Sequence, residues 1–179
     1  MSVSGSEQGK LFAGCGVEAG AIFSPCRKWR YVLWRVWDWR LKLLLSISLN
    51  PSKADEFRPD NTVVTKMMSY AKLWGYGGLI KANLYGWRAT KPAEMIKQGV
   101  NAIGEENDYW LREIYRVLGP AGRDIIGLQV ASWGAKDFLN RGPLIKEMIP
   151  NLYHLGLNKD QSPKHPLYLP MSLRPQPFQ

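Results

Sequence analysis

The chain has 179 residues, of which 45% are hydrophobic, and it carries 24 Lys and Arg against 15 Asp and Glu. This composition excludes a wholly disordered chain, and no apolar run approaches the ~20 residues that a membrane-spanning helix needs. The formal net charge of +9 favours partners that carry phosphate, although a scattered basic surface is the alternative. The N-terminus lacks a basic patch followed by a long apolar stretch, so we expect no signal peptide and a cytoplasmic location.

The first half of the chain predicts a tail followed by strands. Residues 1–18 are small, polar and glycine-rich, which predicts a disordered tail, and residues 19–179 predict a single α/β domain. Apolar alternation between Ala21 and Val36 predicts one or two strands. The strand predicted over Leu43–Leu49 is apolar on both faces apart from two serines, as is typical of a central parallel strand.

Helices and strands then alternate. Asp60 is a good N-cap for a helix that Gly75 ends, and a second strand is predicted over Leu79–Leu84. Helical spacing of apolar residues predicts a helix around Asn107–Leu118. A third strand (Ile125–Ala131), a helical segment interrupted by Gly142-Pro143, a fourth strand (Leu152–Leu157) and an irregular proline-rich tail complete the prediction. This order is typical of a parallel α/β sheet with right-handed crossovers.

Polar side chains follow the predicted strands where ligands bind in such sheets, at the carboxyl ends. Asn50 ends the first parallel strand, and Pro51 keeps it out of the helical region. Its amide can orient a water or read a base edge, or it can simply cap the turn. Asn83, at the end of the second strand, has the same alternatives. Arg88 is suited to a phosphate or carboxylate, and its alternative is an exposed surface arginine.

Two further residues are candidates for catalysis. His165, held between prolines after the fourth strand, can stabilise negative charge on a leaving group, whereas His154 is expected to be structural. Asp55 is the candidate for activating a water or contacting a metal. No His/Cys/Asp cluster has metal-ligand spacing and no glycine-rich nucleotide motif occurs, so we predict neither a metal nor a cofactor.

The segment from Arg27 to Arg40 interleaves basic residues with tryptophans, a pattern typical of single-strand binding. The alternative is an amphipathic edge strand with tryptophan inside and arginine outside. The predicted nucleic-acid contacts are Arg27, Lys28, Arg30, Arg35 and Lys53.

Motifs along most of the chain resemble a bacterial and phage family of unknown function. They are Leu49-Asn50-Pro51-Ser52-Lys53-Ala54-Asp55, Asn83-Leu84-Tyr85-Gly86-Trp87-Arg88-Ala89-Thr90, Trp133-Gly134 and His165-Pro166-Leu167-Tyr168. The likeness covers roughly residues 21–170 and names no reaction.

Three of these motifs also resemble the uracil-DNA glycosylase superfamily. Asn50-Pro51 resembles its water-positioning motif, Asn83 its base-reading asparagine, and His165-Pro166 its late motif for the departing base. Ser52 stands where that superfamily has glycine, and Leu167 where serine usually follows. The resemblance implies a three-layer α/β sandwich around a central, mostly parallel four-stranded sheet, with a short N-terminal β extension here. Ser52 would contact substrate, and Phe57 or Trp133 would form the platform for the base.

Three functions are therefore open. The first is an enzyme that excises or modifies a nucleobase in DNA, which must extrude the base before acting. The second is a non-catalytic protein that binds nucleic acid or a nucleotide in the same pocket. The third is an enzyme acting on a small nucleotide metabolite. The sequence predicts no oligomeric state.

Overall fold

The computed structural model describes residues 17–52 and 62–179. The strands are β1 (Glu18–Phe23), β2 (Arg30–Val36), β3 (Leu43–Ser48), β4 (Gly78–Asn83), β5 (Ile126–Ala131), β6 (Leu152–His154) and β7 (Gln176–Pro177). The helices are α1 (Thr62–Leu73), α2 (Pro92–Ile96), α3 (Asn107–Leu118) and α4 (Gly142–Met148). Short 3₁₀ turns span Gly99–Ala102 and Pro166–Tyr168.

The strands of this part of the chain form one mixed sheet of seven strands, in the order β1-β2-β4-β3-β5-β6-β7. Its centre, β4-β3-β5-β6, is parallel throughout. The β1–β2 hairpin pairs antiparallel with β4, and β7 pairs antiparallel with β6. The predicted α/β class is confirmed, and the sheet has seven strands, because β1, β2 and β7 add to the four parallel strands of its centre. Flanking strands cover both edges of the parallel centre, where unpaired backbone groups would otherwise face solvent.

Helices pack on both faces of the sheet. On one face, Val64, Met67 and Tyr70 of α1 pack against Leu44 of β3 and Leu79 of β4. The other face carries a larger apolar cluster that includes residues of α2, α3 and α4, among them Met95, Leu111, Ile114 and Ile145. Alternate residues of a strand point to opposite faces, so β4 sends Leu79, Lys81 and Asn83 toward the α1 side.

The observed bounds agree with the prediction for one helix and differ for other elements. The predicted helix Asn107–Leu118 is observed as α3 with the same bounds. The helical segment after β5 is not interrupted at Gly142-Pro143 but begins there, because Pro143 suits a first helical turn, where its missing N–H is no loss. The fourth strand stops at His154, and the C-terminal tail adds β7. Within the described residues no helix is long and apolar enough to cross a membrane.

Candidate functional site

The carboxyl edge of β3 and β5 is the natural position for a ligand crevice. From β3 the chain crosses to β4 on one side, and it then returns past β3 to β5 on the other side. In open α/β sheets, ligands bind where the connections diverge in this way, outside the carboxyl ends of the two central strands. Ser48 is the last residue of β3, and Ser132 directly follows β5.

Four buried polar residues form a hydrogen-bonded group at this position, which we call the serine–lysine cluster: Ser46, Ser48, Lys81 and Ser132. The hydroxyl of Ser132 lies 3.0 Å from Ser46 Oγ and 2.9 Å from Ser48 Oγ, and it donates to the carbonyl of Ile47 at 2.9 Å. The Lys81 ammonium donates to Ser48 Oγ. The donation by Ser132 sets the direction of the network, because its oxygen is then left to accept from both other hydroxyls.

Lys81 is the cation of the serine–lysine cluster, and its pKa is strongly lowered. Its side chain lies in the middle of β4 and is only 3% exposed. Burial and, to a smaller extent, the nearby positive charge of Arg30 lower its pKa from 10.5 to about 7. A pKa near 7 means that the charged and the neutral form of Lys81 are both populated around neutral pH.

Asn83 stands beside Lys81 on the same face of β4 and is fully buried. Within residues 17–52 and 62–179, neither Oδ1 nor Nδ2 of its side-chain amide has a hydrogen-bond partner. Its backbone carbonyl, by contrast, accepts from Asn107 Nδ2 at 3.1 Å. An unsatisfied buried amide costs free energy, roughly 1–3 kcal/mol, and such groups in folded proteins call for a specific explanation.

The side-chain amide of Asn50 donates hydrogen bonds to backbone carbonyls around it. Its Nδ2 lies 2.8 Å from the carbonyl of Ala89, 3.1 Å from that of Pro51 and 3.4 Å from that of Trp87. The Ala89 amide in turn donates to the Pro51 carbonyl at 2.9 Å. Asn50 thus ties the turn after β3 to the loop after β4. This is the turn-anchoring alternative, and the structure does not present the amide nitrogen to a water or a base.

His165 begins the 3₁₀ turn Pro166–Tyr168 and is exposed. Its Nδ1 accepts from the backbone N–H of Leu167 at 3.4 Å, so the neutral ring carries its proton on Nε2. Desolvation of the ring and, to a smaller extent, the positive charge of Lys81 lower its pKa. His165 lies beside the turn after β5, since its Cβ is 3.5 Å from the position that a Cβ on Gly134 would take. His154 is instead satisfied by the backbone N–H of Gly156 at 2.9 Å.

The predicted nucleic-acid contacts divide into exposed and buried residues. Arg27 and Lys28 are exposed in the β1–β2 turn, at the same edge of the sheet as Asn83. Arg88 donates to the carbonyl of Arg27 at 3.1 Å, and the guanidinium carbons of Arg27 and Arg88 lie 4.0 and 4.9 Å from the ring centre of Phe23. We call this group, with Lys28, the hairpin basic patch.

Arg30 and Arg35 do not fit the predicted role of surface phosphate contacts. They are 0% and 5% exposed, and Arg35 donates to the carbonyl of Trp34 at 2.8 Å. The alternation expected of an amphipathic strand fails here because both faces of β2 are packed: Val32 and Val36 belong to the apolar cluster on the α3 side, and Leu33 to the cluster on the α1 side.

Trp133 does not form a platform beside Asn83. It is 3% exposed and packs with Phe178 in the cluster on the α3 side of the sheet, opposite to the face of Asn83. Ser52 is half-buried and follows Pro51 at the carboxyl edge. Lys53, Asp55 and Phe57, and the Asp60 cap, lie outside the described residues. No group of three His, Cys, Asp or Glu side chains in residues 17–52 and 62–179 could hold a metal.

The serine–lysine cluster was not among the predicted site residues, although a signal for it exists. Ser46, Ser48 and Lys81 are polar residues inside strands whose other side chains, apart from that of Asn83, are apolar on both faces. In a strand that is buried on both sides, such residues need partners, and neighbouring strands supply them.

Residues 30–167 match the model of a protein family of unknown function, DUF1643. The match spans well over half of the chain. The protein belongs to the DUF1643 family. Searches of curated proteins and of solved structures found no match. The DUF1643 match contains Asn50, Lys81, Asn83, Ser132 and His165, and so covers the whole candidate site.

Proposed function

We propose that this DUF1643 protein recognises a nucleobase in DNA and excises or modifies it, as a uracil-DNA glycosylase-like protein. The observation that carries the proposal is Asn83, whose buried amide offers an unused donor and an unused acceptor at the carboxyl edge of the parallel strands. A base edge that presents one acceptor beside one donor matches such an amide bidentately.

The charge distribution supports DNA as the carrier of that base. The chain has a net charge of +9, and the hairpin basic patch lies at the same edge of the sheet as Asn83. Phosphates of a strand held at this edge would bring an extruded base toward the crevice. Extrusion costs a few kcal/mol, which contacts to the phosphates and the base would offset.

In an excision reaction the bond between the base nitrogen and sugar C1′ breaks, the base keeps the electron pair, and water supplies the oxygen that binds C1′. Asn83 would hold the base, and the Nε2–H of neutral His165 would donate to the departing anion. Asp55 is the proposed base for the water. Asn50 would serve as a positioning residue, because its amide holds the two loops that border the crevice.

A base-release assay tests this function. Single- and double-stranded oligonucleotides containing uracil, mismatched thymine or a hydroxymethylpyrimidine are incubated with the protein and then cleaved with alkali at abasic sites. We expect cleavage of at least one substrate, reduced at least about fivefold in Asn83→Ala, since the lost contacts are worth about 1–3 kcal/mol. Asn101→Ala, at an exposed asparagine in the 3₁₀ turn Gly99–Ala102, is the matched control. Equal cleavage by the two variants would refute the role of Asn83.

A second candidate is a binding protein without catalysis, which the commitment of Asn50 to three carbonyls favours. It predicts base-dependent binding with no cleavage of any substrate. An enzyme acting on a free nucleotide instead predicts a larger thermal shift with the nucleotide than with DNA.

A further inference from the structure

Lys81 and Asn83 form a pair of buried polar side chains two residues apart on one strand. Alternate residues share a face, so both point to the α1 side of the sheet. Asn83 is aligned with Ser48 of β3, and Ser48 is the residue to which Lys81 donates. The ammonium and the amide therefore border the same small region at the carboxyl edge.

Both side chains retain unused hydrogen-bonding capacity. Lys81 has three N–H donors, and within the described residues its hydrogen-bond partner is Ser48. Asn83 has an unused donor and acceptor. Burial of these groups is unfavourable in the free protein, and a ligand that pairs with them would recover part of that free energy.

Asn83 by itself does not distinguish a carbonyl from an amino group on a base. A rotation of its amide by half a turn exchanges oxygen and nitrogen, so it matches the edge of uracil or of cytosine equally well. A protonated lysine has no such freedom, because it donates and cannot accept.

We propose that Lys81 determines specificity at this site: it requires an oxygen acceptor on the ligand beside the edge that Asn83 reads, and so rejects a base with an exocyclic amine there. The inference rests on the proposed recognition of a nucleobase. Two amine protons directed at Lys81 would leave the N–H donors that face the ligand without an acceptor, although the bond to Ser48 stays, a mismatch worth roughly 1–3 kcal/mol, or about 5- to 150-fold in affinity.

The selectivity depends on the protonation of Lys81. Among residues 17–52 and 62–179, the charged and titratable groups coupled to it are Arg30 from β2, whose positive charge lowers the pKa of Lys81, and His165 from the loop after β6, whose own pKa is lowered by the charge of Lys81. The pKa of Lys81 is about 7. Below this pH the ammonium donates only, whereas above it the neutral amine also offers a lone pair. Discrimination against an amine is therefore strongest below pH 7 and weakens as the pH rises.

The test measures binding of two fluorescent single-stranded oligonucleotides that differ only in one uracil or cytosine, at pH 6 and pH 8.5 and fixed salt. The proteins are wild type, Lys81→Met, Lys81→Gln and Lys97→Met, the last at an exposed lysine as the control for charge. We expect wild type and Lys97→Met to prefer uracil at least about fivefold at pH 6 and less at pH 8.5. Lys81→Met should lose the pH dependence, and Lys81→Gln should bind cytosine as well as uracil, because its amide can also accept.

Two negative results have different meanings. If wild type prefers uracil and both Lys81 variants keep the same preference at both pH values, the role of Lys81 is refuted while base recognition stands. If wild type does not distinguish the oligonucleotides and Asn83→Ala binds them equally, base recognition fails, and the role of Lys81 fails with it. A folded Lys81→Gln protein is sufficient for either conclusion if Lys81→Met does not fold.

Discussion

Lys81 makes the free energy of unfolding depend on pH, and the variant Lys81→Met tests this dependence. Its pKa falls from 10.5, the ordinary value, to about 7 in the folded chain. Between these pH values the unfolded chain binds a proton that the folded chain does not, so stability rises with pH across this range and the full cost of charging is present below it. Lys81→Met removes the titration. The unfolding free energy of Lys81→Met minus that of wild type should therefore decrease by about 1.4 kcal/mol per pH unit between pH 7 and 10.

The measurement is urea unfolding of both proteins at pH 6 to 10. Lys97→Met is the control, and its difference from wild type should stay flat, because Lys97 is exposed. A flat difference for Lys81→Met would show that Lys81 keeps an ordinary pKa in the folded protein. The Met side chain should be best tolerated at pH 6, where wild type bears the largest charging cost.

At the scale of elements, two asparagines at the ends of neighbouring strands have opposite energetic roles. Asn50 joins the turn after β3 to the loop after β4 through three carbonyls. The Asn83 amide, by contrast, has no hydrogen-bond partner among the described residues. Asn50→Ala should lower the unfolding free energy by about 1–3 kcal/mol, because buried acceptors lose their donor. Asn83→Leu should leave it unchanged or raise it, because an apolar side chain of similar size removes an unsatisfied amide.

Thermal and urea unfolding of the two variants measure this contrast directly. A loss of stability in Asn83→Leu as large as that in Asn50→Ala would mean that the Asn83 amide is satisfied in solution. Together with the base-release assay, this comparison of stabilities distinguishes a residue whose amide serves ligand recognition from a residue whose amide stabilises the fold.

For the whole molecule, we expect nucleic-acid binding to depend on which edge of the sheet carries a positive charge as well as on the net charge of +9. The hairpin basic patch lies at the carboxyl edge, whereas Arg123 precedes β5 at the amino edge and is exposed. Each phosphate contact releases counterions, so its loss reduces the slope of log affinity against log salt by about 0.7 for a single strand. Arg27→Ala should show this reduction. Arg123→Ala carries the same change in charge and should not.

Fluorescence anisotropy with one oligonucleotide from 50 to 300 mM salt provides both slopes. Equal reductions in the two variants would indicate binding through the overall positive charge, with no preferred edge. An affinity that does not change with salt would refute phosphate contacts at either edge.

Much of the fold follows from local patterns in the sequence. The apolar runs of β3, β4 and β5 and the helical spacing of α3 indicate their elements directly, because each pattern depends only on the period of the element itself. The alternation of strands and helices then indicates a parallel sheet. The alternation between Ala21 and Val36 likewise indicates β1 and β2. The edge strand β7 is less evident, since a strand of two residues forms through its pairing with β6 and has little propensity of its own.

The candidate site divides in the same way. The sequence by itself places Asn50 and Asn83 at the ends of predicted strands and His165 after the fourth, and so indicates which edge of the sheet is the candidate site. Only the tertiary structure shows that Asn50 is occupied by backbone carbonyls while Asn83 is unpaired, and that Lys81 contacts a serine of another strand. Hydrogen-bond partners and burial are set by residues from distant parts of the chain that come together only when the sheet forms, so the sequence pattern around each residue does not contain them.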